Sequence, residues 1–212
     1  MHVMKPVEYD ELADKRFPLF CTPKIDGIRA YVSDGALYTA SNKLVPNRQL
    51  QSLALQLPNG SDMELFYDNF RATSSIVMSE RAVVPSGLTA FVFDLIPFDN
   101  VGAGYLSRLR LLKSYLPQCE SHFNPTDPTL APVFSCCRKT IQHKYTTTDI
   151  RVTTLLPIRI DSEEDLKRLV DSCVLRGDEG VMCRYLHSPY KFGRSTPLSA
   201  ELIRYKPFVL SL

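Results

Sequence analysis

Lys24-Ile25-Asp26-Gly27-Ile28-Arg29 puts an amine, a carboxylate, a glycine and a guanidinium within six residues. That set suits covalent attack on a phosphate. A lysine amine is a nucleophile only when neutral, so burial or neighbouring positive charge has to lower its pKa. Arg29 is one source of such charge. Asp26 could orient the amine or hold substrate hydroxyls, and Gly27 would let the backbone approach a bound nucleotide closely. The alternative for the same residues is an exposed hairpin turn.

The chain has neither a G-x-x-x-x-G-K-[ST] loop nor a G-x-G-x-x-G turn, so phosphate chemistry here needs scattered side chains. Several stretches offer them. Asp62-Met63-Glu64-Leu65 puts the Glu64 carboxylate in a strand, where it could hold a ribose hydroxyl or a metal; an exposed strand Glu is the alternative. Phe91-Val92-Phe93-Asp94-Leu95 offers an aromatic face, and stacking a base on it is worth ~1–3 kcal/mol; a plain core strand is the alternative. Asp178-Glu179-Gly180-Val181-Met182 places Glu179 at a loop-to-strand junction, suited to a Mg²⁺ ion bridging phosphates. Tyr190-Lys191-Phe192-Gly193-Arg194-Ser195 brings two cations close to a glycine. Arg204-Tyr205-Lys206 alternates two cations on one strand face, which could clamp an α-phosphate and depress the pKa of Lys24 together. Solvated basic loops and edges are the alternatives for these last two.

The elements that must position these groups are mixed. Residues 29–32 and 36–39 predict a hairpin around Ser33-Asp34-Gly35, with Lys24 just ahead of it. Leu50 to Leu57 is apolar at helical spacing. Met63 to Tyr67 and Thr89 to Ile96 predict strands, the second buried on both faces. Ser107 to Leu116 predicts a helix closed by Pro117. The segment from Pro117 to about Thr148, rich in prolines and Ser/Thr, predicts an irregular insertion, placed at 118–150. Strand character returns from Thr153 to Ile160. Ser162 to Arg176 predicts a helix, with Ser162 and Asp165 at capping-box spacing, Leu166, Leu169, Val170 and Cys173 as its apolar stripe, and Gly177 as its C-terminal cap. Strands follow at Val181 to Tyr185 and Glu201 to Lys206. The sum is an α+β fold rather than a doubly wound parallel sheet.

At 212 residues the chain can bury one sizeable core. No apolar run approaches the ~20 residues of a membrane span, and the N-terminus lacks the apolar h-region of a signal peptide; the expectation is an intracellular protein. A net charge of +2 means that any nucleic-acid binding rests on a local basic surface. Six cysteines in such a chain read as thiols or metal ligands rather than a disulfide framework. Cys119-x-x-His122 and Cys136-Cys137 followed by His143 have zinc-ligand types and rough spacing; free Cys and His in a loop is the alternative.

The order K-x-D-G-x-R, D-x-E-L, F-D-L-I, E-G-V-M and [KR]-x-K resembles the covalent nucleotidyltransferase superfamily of ATP-dependent DNA ligases, RNA ligases and mRNA capping enzymes. Pro23-Lys24-Ile25-Asp26-Gly27-Ile28-Arg29-Ala30, Ser75-Ile76-Val77-Met78-Ser79 and Tyr190-Lys191-Phe192-Gly193-Arg194-Ser195-Thr196 resemble small phage-type ATP-dependent DNA ligases most. The resemblance runs from about Phe20 to Phe208, with a break around 118–150. It implies antiparallel sheets flanked by helices with a cleft between them, ATP and Mg²⁺ as cofactors, and nicked double-stranded DNA as the partner. It implies lysyl-AMP on Lys24, with Asp26 and Lys206 also catalytic. Thr22, Lys24, Arg29, Glu64, Phe93, Arg194, Arg204 and Lys206 would bind the nucleotide, with Phe93 under adenine. Glu64 and Glu179 would serve Mg²⁺. The same resemblance implies roles in DNA replication and repair, and a host-cell location if the chain is phage-encoded.

Three departures qualify that pattern. Arg204 stands where the family has a lysine, and a planar fork does not replace a point charge. Thr39-Ala40, or Ser41-Asn42, stands where a Ser-Arg pair is usual, which removes a phosphate-binding arginine. The sequence ends at Leu212, right after the last motif, so the OB-fold domain that the resemblance implies would have to come from a longer protein or a partner. Competing readings are an RNA ligase, a GTP-using capping enzyme, and a degenerate nucleotide- or DNA-binding module.

Overall fold

The computed structural model describes residues 2–116, 121–122, 133–134, 137–143 and 146–207, with the backbone alone at 121–122, 133–134, 137–138, 140–143 and 146–147. The chain begins in a five-stranded sheet, crosses to a six-stranded sheet, and returns. Strands β1 (Val7–Glu8) and β2 (Leu19–Pro23) lie in the first sheet. Strands β3 (Ile28–Ser33), β4 (Ala36–Thr39), β5 (Ser61–Phe66), β6 (Thr89–Leu95), β9 (Cys137–His143) and β10 (Thr146–Thr154) make the second, in the order β4-β3-β5-β6-β10-β9. Strands β11 (Ile158–Ile160), β12 (Val181–Arg184) and β13 (Ile203–Tyr205) complete the first, in the order β1-β13-β12-β2-β11. β7 (Ser121–His122) and β8 (Val133–Phe134) pair with each other. Most neighbouring strands are antiparallel; β6–β10 and β1–β13 are parallel.

Local sequence explains the elements. Asp34 and Gly35 both take positive φ (51° and 72°), the geometry that a two-residue turn between β3 and β4 needs. Helix α1 spans Arg48–Ala54, starting earlier than the apolar spacing predicts because the Asn47 side chain accepts from the N–H groups of Gln49 and Leu50 (3.0 and 3.1 Å). It also ends earlier: Leu55 points to solvent, while Leu57 returns to the core outside the helix. Helix α2 (Phe70–Val77) is capped by Asn69 in the same way. Helix α3 covers Tyr105–Tyr115. Helix α4 (Glu163–Leu175) begins at Ser162, whose hydroxyl accepts from Asp165 N–H and bonds the Asp165 carboxylate, and it ends at Gly177 with φ 90°.

Alternation along the strands builds two cores. Ala30, Val32, Met63, Leu65, Ala90 and Val92 turn one face of the six-stranded sheet toward α1 and α2. Leu19, Cys21, Val181, Cys183 and Ile203 turn one face of the five-stranded sheet toward Leu166, Leu169, Val170 and Cys173 of α4. Fully burying one such aliphatic side chain contributes about 1.5–3 kcal/mol. A smaller cluster of Val3, Met4, Tyr31, Ile96, Tyr190 and Leu202 draws on both sheets and the N-terminal segment.

Two expectations change. The segment expected to be irregular contains β9, which pairs along its whole length with β10 at the edge of the six-stranded sheet. Only Thr140 and Ile141 in β9 are β-branched, so the strand rests on its pairing with β10 more than on local propensity. The strand expected from Thr153 to Ile160 is two strands in different sheets, broken at Leu155-Leu156-Pro157, where proline withholds a ladder donor.

Candidate active site

The chain crosses between sheets at residues 24–27 and again at 155–157. Lys24, Ile25, Gly27 and Leu155, from these two crossings, all line one cavity of about 280 Å³. The six-stranded sheet adds Arg29, Glu64 and Phe93, and the five-stranded sheet adds Thr22, Pro23, Met182, Arg184 and Arg204. Period-two alternation accounts for this: residues flanking the core positions of each strand point the other way, into the seam.

Lys24 continues the pairing of β2 with β12. Its N–H donates to the Gly180 carbonyl (2.8 Å), and its carbonyl accepts from Glu179 N–H (2.9 Å). The Glu179 carboxylate contacts the Lys24 amine through one oxygen and the Lys206 amine through the other (2.9 Å). Lys24 and Lys206 therefore meet around one carboxylate. Burial pushes the Lys24 pKa below its usual 10.5; Lys206 and then Arg204 add to that, while Glu64 and Asp26 oppose it. The contact with Glu179 favours the charged amine, so attack requires that contact to be exchanged.

Glu64 faces the cavity on β5 opposite Arg29 on β3. Burial pushes its pKa up to about 8; Arg29 and Lys24 hold it down in part, and Asp62 pushes it further up. Phe93 owes its position to a bulge. Asp62 pairs with Asp94 and Met63 with Val92, so Phe93 is the extra residue on β6. Its ring is half-buried in the cavity, with the Arg29 and Arg184 guanidiniums 5.4 and 5.7 Å from its centre.

Five sequence expectations change in detail. Gly27 is required by the protein itself: a Cβ there would sit 2.2 Å from the Leu65 carbonyl oxygen. Arg29 lines the cavity, but its fork is held by both Asp62 carboxylate oxygens (2.9 and 2.6 Å) and by the Met4 carbonyl (2.6 Å), so it acts first as a structural cation. Asp26 is exposed and does not line the cavity. Arg194 is exposed too, and donates to the carbonyl of Pro6 (3.1 Å), itself a lining residue. Glu179 and Lys206 reach the cavity through Lys24 rather than lining it.

Sequence reasoning missed Arg184, Pro6, Leu202 and Glu8. Arg184 was legible in principle, because Val181 and Cys183 fill the core and so Met182 and Arg184 must face the seam. Its side chain is 1% exposed and its Nε lies 3.5 Å from the Asp94 carboxylate, whose hydrogen bonds go to Arg108 instead (2.7 and 3.1 Å). Glu8 had no signal, since its meaning depends on β1 lying beside β13.

Cys119 and Cys136 of the suggested zinc site lie outside the described residues, as do the side chains of Cys137, His122 and His143. Among the described residues, no group of three or more His, Cys, Asp or Glu side chains could hold a metal ion. Cys21, Cys173 and Cys183 are buried free thiols. Among the described residues no helix is long and apolar enough to cross a membrane.

No model of a known protein family matches the chain, and no curated protein matches it. Solved structures do. A chlorella virus DNA ligase-adenylate is 26% identical, with a TM-score of 0.76 over 97% of this chain and 67% of its own. A Lig E DNA ligase, described as binding DNA with a minimal scaffold, is 21% identical, with a TM-score of 0.68 over 98% and 69%. The ATP-dependent DNA ligase of bacteriophage T7, in complex with ATP, is 14% identical, with a TM-score of 0.61 over 98% and 69%. The chain is thus similar over nearly its whole length to viral and phage ATP-dependent DNA ligases, and its mixed α+β fold is that of their nucleotidyltransferase domain.

Proposed function

We propose that the chain is the adenylation domain of an ATP-dependent DNA ligase. The observation that carries this is the Lys24 amine, set in a cavity at the seam of two sheets with its pKa lowered by burial and by Lys206. The neutral amine attacks the α-phosphorus of ATP; an N–P bond forms, the α–β bridging P–O bond breaks, and pyrophosphate leaves with the electron pair. AMP then passes from Lys24 to the 5′-phosphate of a DNA nick. The 3′-hydroxyl attacks that phosphate, giving a phosphodiester and free AMP. The protein's part is positioning and charge stabilisation.

Each side chain has a place in this scheme. Phe93 stacks on the adenine, with Thr22 and Met182 beside it. Lys206, Arg204 and Arg194 meet phosphate oxygens, and Asp26 stays within electrostatic reach of Lys24 from outside. Glu64 and Glu179 would hold Mg²⁺: Glu64 is a half-buried cavity carboxyl with a raised pKa, which a cation would relieve, and Glu179 carries a carboxylate beside Lys24. Two carboxylates completed by substrate phosphates and water are an ordinary Mg²⁺ environment. The ion would neutralise charge on the departing pyrophosphate. Nick sealing would serve DNA repair or replication, and an OB-fold domain, in the same protein or a partner, would complete the DNA clamp.

The test is incubation with Mg²⁺ and α-labelled ATP or GTP. Label from ATP that is lost in Lys24→Ala supports adenylation; label from GTP alone points to capping; no label on a folded chain overturns enzymatic adenylation. Sealing assays on nicked DNA and nicked RNA duplexes then decide the substrate.

A further inference from the structure

Arg204 lines the cavity but is held from behind. β1 runs parallel to β13 with Glu8 directly beside Arg204. The Glu8 carboxylate accepts from Arg204 Nε through both oxygens (2.9 and 3.1 Å) and contacts Nη2. These contacts occupy one edge of the guanidinium and leave the Nη1 edge outside the pair. The neighbouring residue but one, Pro6, lines the same cavity and is tied to Arg194, so the N-terminal strand is fixed at this point.

We propose that Glu8 is a positioning residue for the nucleotide phosphates: it grips one edge of Arg204 and presents the other edge to the cavity. This rests on the reading that the cavity binds ATP. A free arginine on a strand loses considerable rotamer entropy when it meets a ligand, whereas one already held by a carboxylate fork has lost it beforehand. A lysine could not be gripped in this way, because its ammonium has no second edge. Glu8 thus gives a reason for arginine at this position.

Two physical effects of Glu8 have opposite signs, which makes the inference testable. As a negative charge near phosphates, Glu8 would weaken nucleotide binding, and its removal would strengthen it. As a positioning group, its removal weakens binding. The experiment measures the Kd of non-hydrolysable α,β-methylene-ATP, and KM and kcat for adduct formation with ATP, in wild type, Glu8→Gln, Arg204→Lys and the double variant. Glu8→Gln is expected to raise Kd about fivefold, the effect of freeing one rotamer-rich side chain, with the change in turnover falling on KM rather than kcat. The double variant is expected to bind no more weakly than Arg204→Lys alone, since Glu8 acts only through the fork. An unchanged or tighter Kd in Glu8→Gln, or additive losses in the double variant, would overturn the inference. Glu8→Asp, which keeps the charge and shortens the arm, is the second variant; it too is expected to bind more weakly. If wild type binds the analogue but forms no adduct, the ligase reading fails while the binding comparison still decides the role of Glu8. If wild type binds no nucleotide, both fail.

Discussion

Lys24, Glu179 and Lys206 form an alternating row of charges in which one carboxylate serves two amines. That arrangement keeps Lys24 in place while burial and Lys206 lower its pKa, so the proportion of neutral amine at a given pH exceeds that of a free lysine. Adduct formation should therefore rise with pH and reach half its maximum below 10.5. Lys206→Ala removes a positive neighbour, raises the Lys24 pKa and moves that profile to higher pH; a profile that stays put or moves down would contradict this. Glu64 offers a stability test. Its pKa rises from 4.5 unfolded to about 8 folded, so its protonated form stabilises the fold below pH 4.5, and that contribution is lost as pH climbs to 8. Glu64→Gln should raise Tm by several degrees near pH 9 relative to wild type, with a smaller difference near pH 4. Calorimetry at the two pH values checks the sign. At this scale much was legible, because Lys24, Glu179 and Phe93 sit in short motifs of distinctive composition. The engagement of Arg29 with Asp62, and of Arg204 with Glu8, was not, because each partner comes from another strand and only the register reveals it.

Two glycines set how closely strands approach the site. A Cβ at Gly27 would lie 2.2 Å from the Leu65 carbonyl oxygen, and one at Gly180 2.3 Å from that of Tyr205, both backbone atoms with little room to yield. Gly180 also has φ 133°, which disfavours other residues further. Gly27→Ala should destabilise the fold by roughly 1–3 kcal/mol, the usual range for overpacking, and shift Lys24, so that adduct formation falls more than stability alone explains. Ser162→Ala is the contrasting change. It removes the cap of α4, at a cost of about 1 kcal/mol, on an element that contributes no lining residue, so adduct formation at 25 °C should survive. Urea melts and labelling of both variants separate the two effects. Helices and hairpin were readable because caps, Asp-Gly and 3.6-residue spacing are local signals. The β9–β10 pairing was not, since a strand following a proline-rich stretch becomes evident only from its partner.

The whole molecule places its cavity where the chain changes sheets, and the strands that line it, β2, β3, β5, β6, β12 and β13, come from both sheets. The sequence showed α+β mixing but not the division of strands between sheets, which rests on parallel pairing of β1 with β13 and β6 with β10, contacts between residues far apart in the chain. With a net charge of only +2, binding of a DNA nick should depend on a local basic surface, and its affinity should fall steeply with salt, with a slope set by the phosphates contacted. A salt-independent affinity would argue against backbone binding. The most direct measurement is the mass of the protein and of its proteolytic peptides after incubation with ATP and Mg²⁺. The expected result is one added AMP, on the peptide that carries Lys24, through a phosphoramidate bond labile to acid and stable to alkali. AMP on another residue, or none on a folded chain that binds ATP, would contradict Lys24 as the nucleophile.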